Sequence, residues 1–394
     1  EDIEYRSTGF TSGLGIYWMF QKEKLNFYLG VNSMVAQNSL LDWKFQEGVR
    51  YYASPVHQGK TVFIGGMDGY FYAIDMNTGA EKWKFNSGQA ILSTALVQND
   101  QVMFVSGGKI FALKQSDGAE LWSYCSDEQS SKAQIDAWDY HHSSPYSEDN
   151  MVYYGDDWGN LNGVNASSGE LVFRYTTDNK RAIRSTPVIE DGVLFFGDYA
   201  GIVYAVNTSD STLLWSHVSY EKLPYEGFGM SDSRFVVYKG GLYLGSRNPE
   251  YYCLDIKGGH KKWSINDKMG SWMSGSTVIH NDTLYFGASD NHLFYAIDPL
   301  TGDIFWTHKA SVNIFTTPLI IEDYICFGTV NSYDHDAGEG SLIILNRQSG
   351  ELVRKYLPGC NILSSPIKVD GSIVFGTSKG EVIALKSKLL FFLP

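Results

Sequence analysis

The stretch Val62-Phe-Ile-Gly-Gly-Met-Asp-Gly-Tyr-Phe-Tyr-Ala-Ile-Asp-Met-Asn-Thr-Gly-Ala-Glu-Lys-Trp83 decides the fold. Val62 to Ile64 is a short apolar run, and Gly65-Gly66 lets backbones approach closely. Asp68-Gly69 reads as a hairpin turn, because both residues accept the positive φ that tight hairpins require. Phe71 to Asp75 alternates as the next strand, and Asn77-Thr78-Gly79 turns the chain into a third. Trp83, four residues past the turn glycine, is large enough to wedge between neighbouring sheets.

The unit recurs. A turn glycine followed four residues later by a bulky residue appears at Gly79/Trp83, Gly118/Trp122, Gly169/Phe173, Gly259/Trp263 and Gly302/Trp306. Ser211/Trp215 and Ser39/Trp43 keep the spacing with serine in the glycine place, and Gly350/Arg354 loses the aromatic. The anchors at 43, 83, 122, 173, 215, 263, 306 and 354 are 39 to 51 residues apart, the period of propeller blades. Upstream of the units sit short strands opened by Ser54-Pro55, Ser144-Pro145, Ser185-Thr186-Pro187, Thr316-Thr317-Pro318 and Ser364-Ser365-Pro366. Each blade thus has an inner, two middle and an outer strand.

The pattern Gly-x-x-Asp-Gly, then Tyr-Ala-Ile-Asp, then Thr-Gly-x-x-x-Trp resembles the repeat of pyrroloquinoline-quinone-type β-propellers. Its best copies are Gly66 to Trp83 and Gly287 to Trp306, and the resemblance covers roughly residues 40–386. It implies an all-β fold, a single propeller of about eight four-stranded blades, with seven or nine left open. We expect the strand around Trp43 to complete the last blade, so that the termini latch the ring; the alternative is a small separate blade over 16–43. Residues 1–40 then form an N-terminal extension packed on a propeller spanning 41–394. Function does not follow, because this repeat serves quinone dehydrogenases, assembly lipoproteins, sensor domains and sugar-active enzymes alike.

Composition narrows the classes. A formal net charge of −13 over 394 residues disfavours a nucleic-acid partner, which wants a basic footprint. Ile16 to Phe20 and Leu25 to Leu29 are too short to span a membrane. No leader is visible, although a processed chain would look the same. The cysteines at 125, 253, 326 and 360 show no CxxC and no adjacent pair, so they read as idle thiols. Dehydrogenases of the resembled family carry a vicinal cysteine disulfide over the quinone; its lack here makes the quinone an unlikely cofactor. No cofactor is expected. Calcium stays open as a structural ion on Asp334-His-Asp-Ala-Gly-Glu339, although the loop lacks the spacing of a calcium-binding helix–loop–helix.

Three connections are long, Cys125 to Tyr140, Ser216 to Gly229 and Thr329 to Gly340, and they read as a binding wall around the central funnel. The residue preceding the hydroxyl pair of each inner strand reads Tyr52, Leu92, His142, Arg184, Met230, Met273, Phe315 and Leu363. His142 and Arg184 stand side by side, opposite in alternation to Ile91, Ile183, Ile314 and Ile362, which suit the core between blades. Their companions by repeat geometry are Tyr199, Trp158, Arg247 and Tyr251, with His141, Trp138, Arg181, Tyr225 and Trp272 from adjoining rim loops.

Basic and aromatic groups around one funnel suit an anionic, uronate-containing polysaccharide, gripped by arginine forks and stacked on aromatic rings. β-Elimination fits this set without a metal: Arg184 would neutralise the carboxylate, and His142 and Tyr199 would act as base and acid, in either order. The chemistry is similar to that of propeller-type polysaccharide lyases such as ulvan lyases, and a secreted or periplasmic location goes with it. The alternative is a non-catalytic binding or assembly propeller. In that case His142 is a satisfied histidine beneath its loop, Arg184 pairs with Asp156 or Asp198, and Tyr199 is an ordinary rim tyrosine.

Overall fold

The computed structural model describes residues 39–126, 141–219, 234–268, 270–334, 336 and 338–392. These residues form eight four-stranded antiparallel sheets, the blades of one propeller. Blade one runs Val56–Gln58, Thr61–Gly65, Tyr70–Asp75, Glu81–Asn86 from centre to rim. Blades two to seven open at Leu96–Gln98, Tyr146–Glu148, Val188–Glu190, Val236–Tyr238, Val278–His280 and Leu319–Ile321. Blade eight opens at Ile367–Val369, and its outer strand is Leu41–Gln46, paired with Glu381–Lys386. The expected latch is therefore present, with Lys44 Nζ 2.8 Å from Glu381 Oε1 across it. Of the extension expected over residues 1–40, only Ser39 and Leu40 lie within the described residues.

The glycine-to-tryptophan spacing has a mechanical reason. Each anchoring indole crosses to the next blade and lies on its turn glycine: Trp43 on Gly79, Trp83 on Gly118, Trp122 on Gly169, Trp215 on Gly259, Trp263 on Gly302, Trp306 on Gly350. The Trp83 indole N–H donates to the Gln115 carbonyl of that turn at 2.9 Å. Gly118 is needed twice over, because its φ is +74° and a Cβ would stand 2.5 Å from the Trp83 ring. Where the anchor is the smaller Phe173, the next turn carries Ser211 instead, still at positive φ. The missing eighth aromatic follows from closure. Blade eight has no turn between its third and outer strands, and Arg354 instead donates to the Leu389 carbonyl of a short helix, Ser387–Phe392.

A β-bulge in the outer pair of blades one to seven sets the anchor inward. Ala73 faces Trp83 and Ile74 faces Glu81, so Lys82 is the extra residue and points out. Between blades the core is aromatic: Phe71 stacks on Phe104 at 4.2 Å and Phe294 on Phe327 at 4.3 Å. The expected core residues Ile91, Ile183, Ile314 and Ile362 are fully buried.

The hydroxyl pairs of the inner strands do two jobs. The first hydroxyl ties the strand to its own blade, as when Ser185 accepts from Gly197 N and donates to Gly197 O. The second ties neighbouring blades: Thr317 N donates to Ser365 Oγ, Ser365 N to Ser54 Oγ, Ser54 N to Thr94 Oγ1, Thr94 N to Ser144 Oγ, and Ser144 N to Thr186 Oγ1. The following proline has no N–H to leave unpaired on the exposed inner edge.

Candidate functional site

The funnel is divided. On the side of blades seven, eight, one and two, Tyr52, Leu92, Val330 and Leu363 form an apolar cluster with Met67, Ala90 and Phe315 packed on it. On the side of blades three to six the same tier is polar, with His142, Arg184, Asp157 and Arg247 all buried. The inner strands correct two assignments, Met273 in blade six and Met230 in blade five. Met273 occupies the place of the core isoleucines, its N–H donating to the Asn248 carbonyl as Ile183 N donates to the Asp156 carbonyl. Ser274, buried, is the funnel residue of blade six, and Asp232, outside the described residues, falls at that register in blade five. Gly275-Ser276-Thr277 stands where blade four has Ser185-Thr186-Pro187, and the serine before it, Ser274, mimics the first hydroxyl and shifts the apparent frame by one residue.

The polar tier is held by pairs. Arg184 Nη1 forms an ion pair with Asp157 Oδ1 of the preceding blade, with both side chains almost wholly removed from solvent. Asp156 and Asp198, the partners considered for Arg184, instead brace their own turns. Asp156 accepts from the N–H groups of Trp158 and Asn160 and from the amides of Asn160 and Asn162. Asp198 accepts from Ala200 N, Ile202 N, Asn179 Nδ2 and Tyr204 Oη.

Arg247 is clamped between two rings. Its Nη1 donates to Tyr199 Oη at 2.5 Å, and its guanidinium carbon lies 5.2 Å from the Tyr199 ring centroid and 5.5 Å from that of Trp272. Trp158 is half-buried beside Asp157, and Arg181 is exposed on the rim. His141 is half-buried and lines the channel. The structure therefore places Tyr199, Arg247 and Trp272 in one contact and Arg184 in another, with Asp157, and buries His142 in the same tier.

Tyr251 lies elsewhere. It sits in the strand Glu250–Asp255, fully buried, with its ring stacked on Phe286 at 4.0 Å and its hydroxyl 2.5 Å from Thr277 Oγ1. Burial drives its phenol well above the usual range. The strand register turns this residue into the core between blades five and six, not toward the funnel. Trp138 and Tyr225, expected in the site, lie outside the described residues, as do two of the three long loops for most of their length.

The loop after Thr329 is mostly described and folds over the apolar side. Asn361 donates to the Asp334 carbonyl, and Asp336 pairs with Arg50 at 3.0 Å. Two of its residues, 335 and 337, lie outside the described set, so the calcium suggestion rests on a partly described loop. Among the described residues no three His, Cys, Asp or Glu side chains gather as a metal site, and no helix is long and apolar enough to cross a membrane.

One site feature escaped the sequence reading. Below the apolar cluster a cavity of about 550 Å³ occupies the channel, lined from every blade. Its wall carries the inter-blade hydroxyls, except in blade five, where Arg234 stands at that register. The second hydroxyl place reads Ser or Thr in seven blades and Arg in one.

Solved structures share the architecture. A computationally designed protein, Ika8, superposes with a TM-score of 0.68 at 15% identity, covering 86% of this chain and 97% of that one. Quinohemoprotein alcohol dehydrogenase from Comamonas testosteroni gives 0.68 at 12% identity over 90% of this chain and 77% of its own. Both establish the fold alone. In sequence, outer membrane protein assembly factor BamB of Shewanella oneidensis is 22% identical over 342 residues, 85% of this chain and 71% of that protein. The profile described as outer membrane protein assembly factor BamB matches residues 32–137, 131–271 and 253–388, nearly the whole repeat region. The chain belongs to that family of repeat propellers.

Proposed function

We propose that this protein is a non-catalytic propeller that holds protein partners during outer-membrane protein assembly. An extracytoplasmic location accords with its family. The observation that carries the reading is the buried Arg184–Asp157 pair. Elimination needs an arginine whose charge is available to a uronate carboxylate, and this one is already neutralised by a neighbour out of water. Arg247 is likewise engaged with Tyr199 and Trp272, so the tier is built to hold its own shape.

The rim supports protein contact. The bulge residues Leu121, Val172, Leu214, Phe305 and Val353 stand outward and exposed, joined by Leu213, Ile304 and Leu352 on the same outer strands. Those strands have an unpaired edge, to which an extended partner segment adds by main-chain bonds and apolar contacts.

The test is genetic and biochemical. In a host lacking the gene, outer-membrane β-barrel content is expected to fall and to recover with the wild type and with His142→Ala. Recovery should fail with Leu214→Glu, Phe305→Glu and Val353→Glu combined, in a chain that still folds by circular dichroism. Ultraviolet-absorbing unsaturated product from a uronate polysaccharide panel, lost in His142→Ala, would overturn the reading and restore the lyase.

A further inference from the structure

Among the described residues lining the channel cavity, Arg234 is the one fixed charge. Arg234 is exposed within it, and no hydrogen bond or ion pair engages its guanidinium among the described residues. Among the described residues no carboxylate lines the cavity. In a chain of net charge −13, an exposed arginine in a channel whose described lining holds no acid is a local reversal of sign.

The wall around it is a set of donors. Ser54, Thr94, Ser144, Thr186 and Ser365 each accept a backbone N–H through the side-chain oxygen. That fixes where each oxygen points and leaves its O–H proton to be given away. Thr186, the last hydroxyl of the belt, is bridged through its backbone to Arg234 itself. A guanidinium fork flanked by hydroxyl donors is the recognition chemistry of an oxyanion, carboxylate or phosphate alike. Four prolines, Phe315 and aliphatic residues line much of the remainder, with His141 and Tyr146 among them, and about 550 Å³ is the size of a small-molecule site.

We propose that the central channel binds a small organic anion, its oxyanion group on Arg234 and the Thr186 hydroxyl, its apolar body against the proline wall. This site is separate from the rim contacts and from the paired residues of the funnel.

Titration calorimetry on the full chain tests it with inorganic phosphate, sulfate, acetate, hexanoate and phenylacetate. Binding is expected in the wild type, to weaken about tenfold or more in Arg234→Met, and to be partly kept in Arg234→Lys, which retains the charge without the fork. Thr186→Val should weaken it further than Lys368→Met, which removes one exposed surface charge and serves as the control. Affinity rising from acetate to phenylacetate identifies an organic ligand; binding confined to phosphate and sulfate identifies a free inorganic anion and overturns the apolar-body part. Equal affinity in Arg234→Met, or no heat with any of the five at millimolar concentration, overturns the site. Unchanged melting temperature of anion-free Arg234→Met shows that lost binding is not lost folding.

Discussion

The indole of Trp83 covers Gly118 of the following blade so closely that a single added methyl group would stand 2.5 Å from the ring. Gly118→Ala should therefore cost about 2–4 kcal/mol, combining left-handed backbone strain with overpacking. Urea denaturation measures it. A loss under about 0.5 kcal/mol would mean that the indole swings away freely and that the blades are not keyed together at this point.

Ser211 occupies the corresponding turn after Phe173 and carries the same backbone strain, with φ of +60°. Ser211→Gly should stabilise the chain by about 0.5–1 kcal/mol, since relief of the left-handed penalty exceeds the added chain entropy. A destabilised variant would show that the serine side chain contributes packing of its own.

Arg184→Met strands the Asp157 carboxylate in a dry environment. The expected cost is about 3–5 kcal/mol, with much of it recovered in Arg184→Met/Asp157→Leu. A double-mutant cycle by chemical denaturation reads the coupling. If the single variant is as stable as the wild type, water or another cation reaches Asp157 and the neutralised-tier argument fails.

His217, His292 and His308 all have depressed pKa values, in each case chiefly through burial. The unfolded chain then binds protons more readily than the folded one as pH drops below the usual histidine value near about 6.5. Their stabilising neutral state is fully present above that value and is lost as pH falls toward the depressed ones. The melting temperature of the wild type should fall more between pH 7.5 and 5.5 than that of a variant with all three changed to glutamine. Parallel pH curves for the two proteins would contradict it.

Much of the fold is legible because the repeat is mechanical. Trp83 needs a bare turn in the next blade, so glycine and tryptophan recur at fixed spacing and expose the blade count. The exceptions are informative too: Gly350/Arg354 lacks its aromatic where closure removes the receiving turn. The site was less legible, for reasons of register. His142 and Arg184 could be placed because Ser143-Ser144-Pro145 and Ser185-Thr186-Pro187 mark the frame. Blade six has no such proline, and Met273 slipped into the place of Ser274. Partner choice was out of reach: Asp156 and Asp157 are adjacent in sequence, yet one braces a turn and the other meets Arg184. Only the pleat of the folded strand decides between them.

The pairing of Leu41–Gln46 with Glu381–Lys386 also sets an order of events. Synthesis delivers the first of these strands before blade one and the second after blade seven, more than 330 residues later, as the Lys44–Glu381 separation of 337 records. Seven blades can therefore stack one upon another as they emerge, while Leu41–Gln46 waits with both edges unsatisfied and Trp43 already able to rest on Gly79. Completion is a single late event. A chain interrupted before Glu381 carries seven complete blades and no ring, so the strand Glu381–Lys386 is what separates a closed propeller from an open stack.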